Sequence, residues 1–192
     1  MDTKKIAEIL NNDGVIAFVT DTVWGIGCLP TSKKAVERIY EIKHRDIKKP
    51  LILMSNSDKY LRRYVKPLSI LANELIQKHF PGALTLVIDK SDNTPDYITS
   101  GLETVGIRVP NNKTFVKICD SIDGHVLATT SANLSNEPAA LTYEEAVRYI
   151  GDKVDLVIED NGEKAQGRAS TVAGISQNGI TIFRQGDIKL TD

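Results

Sequence analysis

Apolar positions recur at helical spacing from Lys4 to Leu10, then give way to Asn-Asn-Asp-Gly at 11 to 14 and an unbroken apolar run from Val15 to Val19. This pattern predicts a short amphipathic helix, a turn and a buried strand. Thr31 or Ser32 is placed to cap a second helix running to about Lys43, with Val36, Ile39 and Tyr40 on one face. A basic loop follows and ends at Pro50. Beyond it the pattern predicts a strand over Leu51–Met54, a helix over Asp58–Tyr64 and a longer helix over Leu68–His79, stopped by Phe80-Pro81-Gly82.

The β-branched segments Leu84–Ile88 and Val105–Val109 read as strands that pair as neighbours, joined through a polar loop from Ser91 to Gly101. Phe115–Cys119 and Tyr143–Ile150 read as helical, and Val126–Ala128, Leu156–Ile158, Thr171–Gly174 and Ile180–Phe183 as strands. Helices and strands interleave without strict βαβ regularity, which predicts an α/β fold, a twisted mixed sheet flanked by helices. At 192 residues and 41% hydrophobic composition, one domain spanning 1–192 is expected.

Charge narrows the partners. Lys plus Arg number 24 and Asp plus Glu 25, so no global field draws the chain to nucleic acid or anionic lipid. Any RNA contact must come from local runs such as Lys43, His44, Arg45, Lys48 and Lys49, or Lys59, Arg62, Arg63 and Lys66. Cys28 and Cys119 lie far apart, the N-terminus is too polar for a secretory signal, and no apolar run reaches membrane-spanning length. A cytoplasmic protein with reduced thiols and no membrane association is expected. His44, His79 and His125 show no metal-ligand spacing, so no protein-built metal site is expected.

Candidate chemistry gathers in four polar clusters: Thr20-Asp21-Thr22, Lys43-His44-Arg45, the run from Thr129 to Asn133, and Arg168-Ala169-Ser170-Thr171. Loops at strand mouths of an α/β sheet commonly converge on a ligand, although each cluster taken alone also reads as a turn or a cap. Lys43 and Arg45 at a helix end either relieve the helix dipole or clamp a polyphosphate, the Arg fork gripping two oxygens beside a mobile Lys charge. No Walker motif occurs, and Gly25-Ile26-Gly27 lacks the third glycine of a dinucleotide fingerprint, so a nucleotide would bind by another device. Ser131 has no G-x-S-x-G context to make it a hydrolytic nucleophile.

Taken in order, T-D-T-V-W-G-I-G at 20–27, I-K-H-R at 42–45, K-K-P-L at 48–51, F-P-G-A-L-T-L at 80–86, V-G-I-R-V-P at 105–110, T-S-A-N-L-S at 130–135, A-S-T-V at 169–172 and F-R-Q-G at 183–186 resemble the YrdC-type threonylcarbamoyl-AMP synthase family. The resemblance spans roughly 14–188. It implies a concave basic cavity and a reaction joining L-threonine, bicarbonate or CO2 and ATP, with Mg2+, to give threonylcarbamoyl-AMP and pyrophosphate. It also implies weak contact with tRNA and downstream transferase proteins that modify tRNA adenosine beside the anticodon. By position, Thr22, Arg108 and Ser170 resemble residues that hold threonine. Lys43, Arg45, Lys49, Thr104, Ser131, Asn133 and Arg184 resemble those around ATP, with Lys43 and Arg45 as the catalytic cations, both expected to point into the ATP cavity.

The chain departs from the family pattern at Val19, Trp24, Thr130 and Arg168, which stand where the family usually has Pro, Tyr, Pro and Pro. Two other readings compete: a non-catalytic RNA-binding module, and a carbamoyl-adenylate enzyme of metallocentre maturation, which would be much longer.

Overall fold

The computed structural model describes residues 1–190. In chain order it comprises α1 (Thr3–Asn11), β1 (Ile16–Phe18), β2 (Gly25–Cys28), α2 (Lys33–Lys43), β3 (Ile52–Ser55), α3 (Asp58–Leu61), a 3-10 turn (Arg62–Tyr64), α4 (Ile70–His79), β4 (Leu84–Asp89), α5 (Asp96–Thr99), β5 (Thr104–Arg108), α6 (Lys113–Asp120), β6 (Val126–Ser131), α7 (Tyr143–Ile150), β7 (Leu156–Val157), β8 (Thr171–Ser176) and β9 (Gly179–Arg184). Side-chain caps set the helix starts: Ser32 accepts from the Ala35 amide, Ser69 from Ala72 and Asn112 from Phe115. Because Ser69 is the cap, α4 starts at Ile70 and not at Leu68.

Two elements escape the hydrophobic pattern. β2 carries Gly25 and Gly27, which weaken any strand signal. A Cβ at either position would lie 3.0–3.1 Å from the Phe18 ring, so these glycines let that ring lie flat on the sheet and form no phosphate loop. α5 is one turn inside the polar loop, where Ile98 is buried and its carbonyl accepts from the Leu51 amide.

The strands form one mixed sheet in the order β7-β1-β2-β6-β3-β5-β4-β8-β9. β4 and β5 are neighbours, as their sequences suggest, and the pairing is antiparallel. Along every strand successive side chains alternate between two faces. Ala17, Ile26, Leu53, Leu84, Leu86, Val105, Ile107, Ala128 and Ala173 point to one face, where they join the main core with α2, α4 and α7. Ile16, Phe18, Met54 and Leu127 point to the other and pack with Ile6 and Leu10 of α1 and with Phe115, Ile118 and Cys119 of α6. The Phe18 and Phe115 rings lie 5.2 Å apart at 47°.

This second cluster ends at β3; among the described residues no member of β4, β5, β8 or β9 joins it. The rest of that face carries Thr129, Ser131, Arg108, Thr85, Val172 and Arg184, which, with Ile52 and Met54 at the edge of the cluster, line a cavity of about 260 Å³. Register aligns these residues: Met54 lies opposite Arg108, Thr85 opposite Val172, and Val172 opposite Arg184. Among the described residues no helix is long and apolar enough to cross a membrane.

Candidate active site

Arg108 is the most constrained side chain in the cavity, 2% exposed at the end of β5. Its Nε donates to the Gly82 carbonyl at 3.0 Å, Nη1 to Thr22 Oγ1 at 2.9 Å, and Nη2 forms an ion pair with Asp21. Burial lowers its pKa and the Asp21 carboxylate opposes that shift, while Arg184 adds a repulsive charge. Thr20 Oγ1 donates to the Val23 carbonyl at 2.6 Å, which leaves Thr22 as the donor in the 3.1 Å contact between the two threonine hydroxyls. Thr22 therefore gives its proton to Thr20 and accepts from Arg108, with one lone pair remaining.

On the opposite wall, Arg184 Nε donates to the Ser170 carbonyl at 2.9 Å and Nη2 to Ser170 Oγ at 3.1 Å. Ser170 Oγ also lies 2.9 Å from Thr85 Oγ1. Arg45, two residues past α2, donates from Nε to the Lys49 carbonyl at 3.1 Å and from Nη2 to the Pro50 carbonyl at 3.0 Å. Burial lowers the pKa of both guanidinium groups. Arg45, Arg108 and Arg184 all line the cavity, and among the described residues no Asp or Glu does. Arg45 fixes its plane on two backbone carbonyls, Arg108 on the Gly82 carbonyl, Thr22 and Asp21, and Arg184 on the Ser170 carbonyl and hydroxyl, and each guanidinium has N–H groups beyond these bonds.

The structure thus brings Thr22, Arg45, Arg108, Ser131, Ser170 and Arg184 to one cavity. Lys43 does not line it beside Arg45, contrary to the expectation from sequence. It is 1% exposed, and its Nζ donates to the Ser131 carbonyl at 2.5 Å and to Asn133 Oδ1 at 2.6 Å. The left-handed turn at His44, φ 49°, caps α2 between Lys43 and Arg45 and sends the two cations different ways. Asn133 lies behind the cavity wall and accepts from Ser131 Oγ at 2.7 Å, so Lys43, Asn133 and Ser131 form one network. Lys49 is exposed, its Nζ 3.4 Å from Asn136 Oδ1. Thr104 shares a face of β5 with Arg108 but lies four residues along the strand, beyond Gly106, and does not line the cavity.

Burial, then the charges of Arg45 and Lys49, push the Lys43 pKa from 10.5 down to about 7. The folded pKa lies below the unfolded one, so between those two values the unfolded chain binds more protons and stability rises with pH. From pH 7 to about 9 the unfolding free energy of the native protein is expected to gain about 2 kcal/mol relative to Lys43→Met. Urea titrations of both proteins at the two pH values measure this; a pH-independent difference would show that Lys43 titrates alike in both states.

Sequence reasoning missed Thr85, which has a legible signal: a hydroxyl between Leu84 and Leu86 in a strand lies on the face away from the core. It also assigned no part to Asp21, whose pairing with Arg108 depends on tertiary structure.

Residues 8–186 match the family model described as Telomere recombination, the Sua5/YciO/YrdC domain. The chain belongs to the Sua5/YciO/YrdC family. A Vibrio cholerae relative named threonylcarbamoyl-AMP synthase is 32% identical over 185 residues, covering 95% of this chain and 96% of the relative. One from Buchnera aphidicola with the same name is 36% identical over 152 residues, 78% of this chain and 86% of its own. The crystal structure of P. abyssi Sua5 complexed with L-threonine superposes with a TM-score of 0.90 at 30% identity, over 96% of this chain and 54% of that one. This chain therefore spans about half the length of that Sua5 chain. E. coli YciO shares the fold at a TM-score of 0.86 and 24% identity, over 96% of this chain and 89% of that one.

The positions where this Sua5/YciO/YrdC member departs from the family pattern have definite places. Trp24 is fully buried in the cavity wall, its rings 6.1 Å from Tyr143, and its indole N–H has no hydrogen-bond partner among the described residues. Thr130 lines the cavity. Arg168 is exposed and donates to Asp187 at 3.0 Å.

Proposed function

We propose that this chain is a threonylcarbamoyl-AMP synthase that joins L-threonine, bicarbonate or CO2 and ATP at the cavity on the uncovered sheet face. One observation carries the reading: three guanidinium groups converge on a hydroxyl-rich cavity that, among the described residues, no carboxylate lines. Both reactants are anions at the bond-forming step, so the reaction demands charge neutralisation and alignment more than a nucleophile of the protein's own. The L-threonine bound to Sua5 and the names of the curated relatives support the same reading.

In this reading the threonine end is Thr22, Arg108 and Ser170, with Thr85 behind the serine. Because Arg108 already holds Asp21 and Thr22, it meets a substrate carboxylate with its remaining N–H groups. Arg45, Ser131 and Arg184 face the nucleotide, with Lys49 and Thr104 toward its outer parts. Lys43 and Asn133 hold the Ser131 turn from behind; direct phosphate contact by Lys43 requires its ammonium to leave the Ser131 carbonyl and Asn133. The neutral threonine amine adds to CO2, and one amine proton passes to solvent as the N–C bond forms, giving a carbamate. A carbamate oxygen then bonds to the α-phosphorus of ATP as the bond to pyrophosphate breaks. The described lining residues do not fit a protein-held magnesium ion, since no carboxylate is among them. The Mg2+ implied by the family would be carried by the nucleotide's phosphates. The product then passes to separate proteins acting on tRNA.

The RNA-binding alternative depends on the basic runs. Two of their charges are already engaged: Lys43 is buried, and Arg62 pairs with Asp58 at 2.9 Å. Pyrophosphate release from ATP that requires both threonine and bicarbonate, and no RNA, is the deciding measurement. Obligatory dependence on tRNA would favour the alternative. Valine in place of threonine is expected to react roughly ten- to a hundred-fold less efficiently, because a buried hydroxyl partner would be left unpaired. Equal turnover of valine would refute the threonine-end assignment.

A further inference from the structure

Residues 160–167, between β7 and β8, are fastened at both ends by residues distant in sequence. At one end, the Glu163 carboxylate accepts from the first two amides of α6, Lys113 N to Oε1 at 2.8 Å and Thr114 N to Oε2 at 2.6 Å. Asn112 takes the third amide, that of Phe115, so the first turn of α6 is capped jointly by its own loop and by a residue about fifty positions away. Although partial burial acts to raise the Glu163 pKa, these amide hydrogen bonds hold it below the ordinary range. At the other end, Gln166 N donates to the Asp21 carbonyl at 3.2 Å and Gly167 N to the Thr22 carbonyl at 2.9 Å. The chain then enters the cavity wall at Ala169 and Ser170.

The segment therefore joins the two walls of the threonine end. Its amides fix the backbone of Asp21 and Thr22, whose side chains fix Arg108, and its continuation places Ser170 against Thr85 and Arg184. Asn161, Gly162 and Gly167 all have positive φ, 53°, 82° and 94°, so the turns at both ends are tight. α6 is immobilised by Phe115, Ile118 and Cys119 in the smaller core cluster, which makes it a rigid post for the Glu163 fastening.

We propose that Glu163 is a positioning residue for threonine: by latching segment 160–167 to α6, it holds Asp21 and Thr22 in place against Arg108. This rests on the reading that Thr22 and Arg108 hold threonine. Glu163 touches no reacting group. Its loss lowers the fraction of molecules whose threonine end is assembled, and apparent affinity falls by that fraction.

The test uses the purified full chain and its threonine-dependent pyrophosphate release. Glu163→Ala is expected to raise the KM for threonine about tenfold and to leave the KM for ATP within about twofold. Glu163→Gln, which keeps one acceptor oxygen for two amides, is expected to fall between Glu163→Ala and the native protein. Thr22→Val is the control. If Thr22→Val raises the threonine KM and Glu163→Ala does not, the latch is overturned and the threonine reading stands; if neither does, the underlying reading fails and the latch with it. Equal rises in both KM values with a lowered melting temperature would assign Glu163 a purely structural part and overturn the proposal. A measurement on the native protein stands independent of variant folding: threonine alone is expected to slow hydrogen exchange at the Gln166 and Gly167 amides, and unchanged exchange there would refute the latch.

Discussion

Arg45→Ala is expected to lower threonine-dependent pyrophosphate release by about 10²–10³, the usual consequence of removing one preorganised charge facing developing negative charge. Arg45 is suited to that part because two carbonyls, those of Lys49 and Pro50, hold its plane while the guanidinium lines the cavity. Losing those two bonds is expected to cost about 1–2 kcal/mol of stability at a half-buried loop. Rate and stability therefore separate, and measuring both on one preparation distinguishes a cation that stabilises the transition state from one that only fastens the 45–50 loop. Arg45→Lys keeps the charge but cannot bridge both carbonyls and present a planar fork, so it is expected to recover only part of the loss. Near-native turnover in Arg45→Ala would remove Arg45 from the reaction.

Arg108→Ala is expected to have the larger total effect, because it acts on fold and site together. Truncation leaves Asp21 as a partly buried carboxylate without its partner and strips donors from Gly82 and Thr22. Breaking a buried pair from one side typically destabilises by about 3–5 kcal/mol, and threonine-dependent turnover is expected to vanish. The double variant Asp21→Asn with Arg108→Ala separates the two effects: stability is expected to recover in part as the uncompensated charge disappears, while turnover stays lost. Chemical unfolding of the single and double variants measures the coupling. A double variant no more stable than Arg108→Ala would show that the Asp21 charge is not the source of the cost.

The site was legible where chemistry and periodicity coincide. Arg108 and Thr85 can be read as cavity residues because each interrupts an apolar strand on the alternate face, Arg108 after Val105 and Ile107, Thr85 between Leu84 and Leu86. Thr22 and Ser170 sit in polar clusters beside strands. Lys43 misleads because its type and position at a helix end suit a phosphate, whereas the αL turn at His44 and the acceptors Ser131 and Asn133 draw its ammonium inward. β2 was illegible because its glycines record the space required by the Phe18 ring and not a strand preference of their own.

Local signals in the chain, namely the apolar, β-branched runs of β3 to β6 and β8, the cap at Ser32 and the ordered motifs, were enough to determine an α/β sheet, most element positions and the family. Those signals act over a few residues, so a linear reading reaches them. Tertiary structure alone decided that α1 and α6 cover only part of one face, leaving the cavity over β6, β3, β5, β4, β8 and β9, that Asp21 answers Arg108 across 87 positions, and that Glu163 caps a helix 50 positions earlier. These depend on strand order and register, which bring together residues that no local pattern relates.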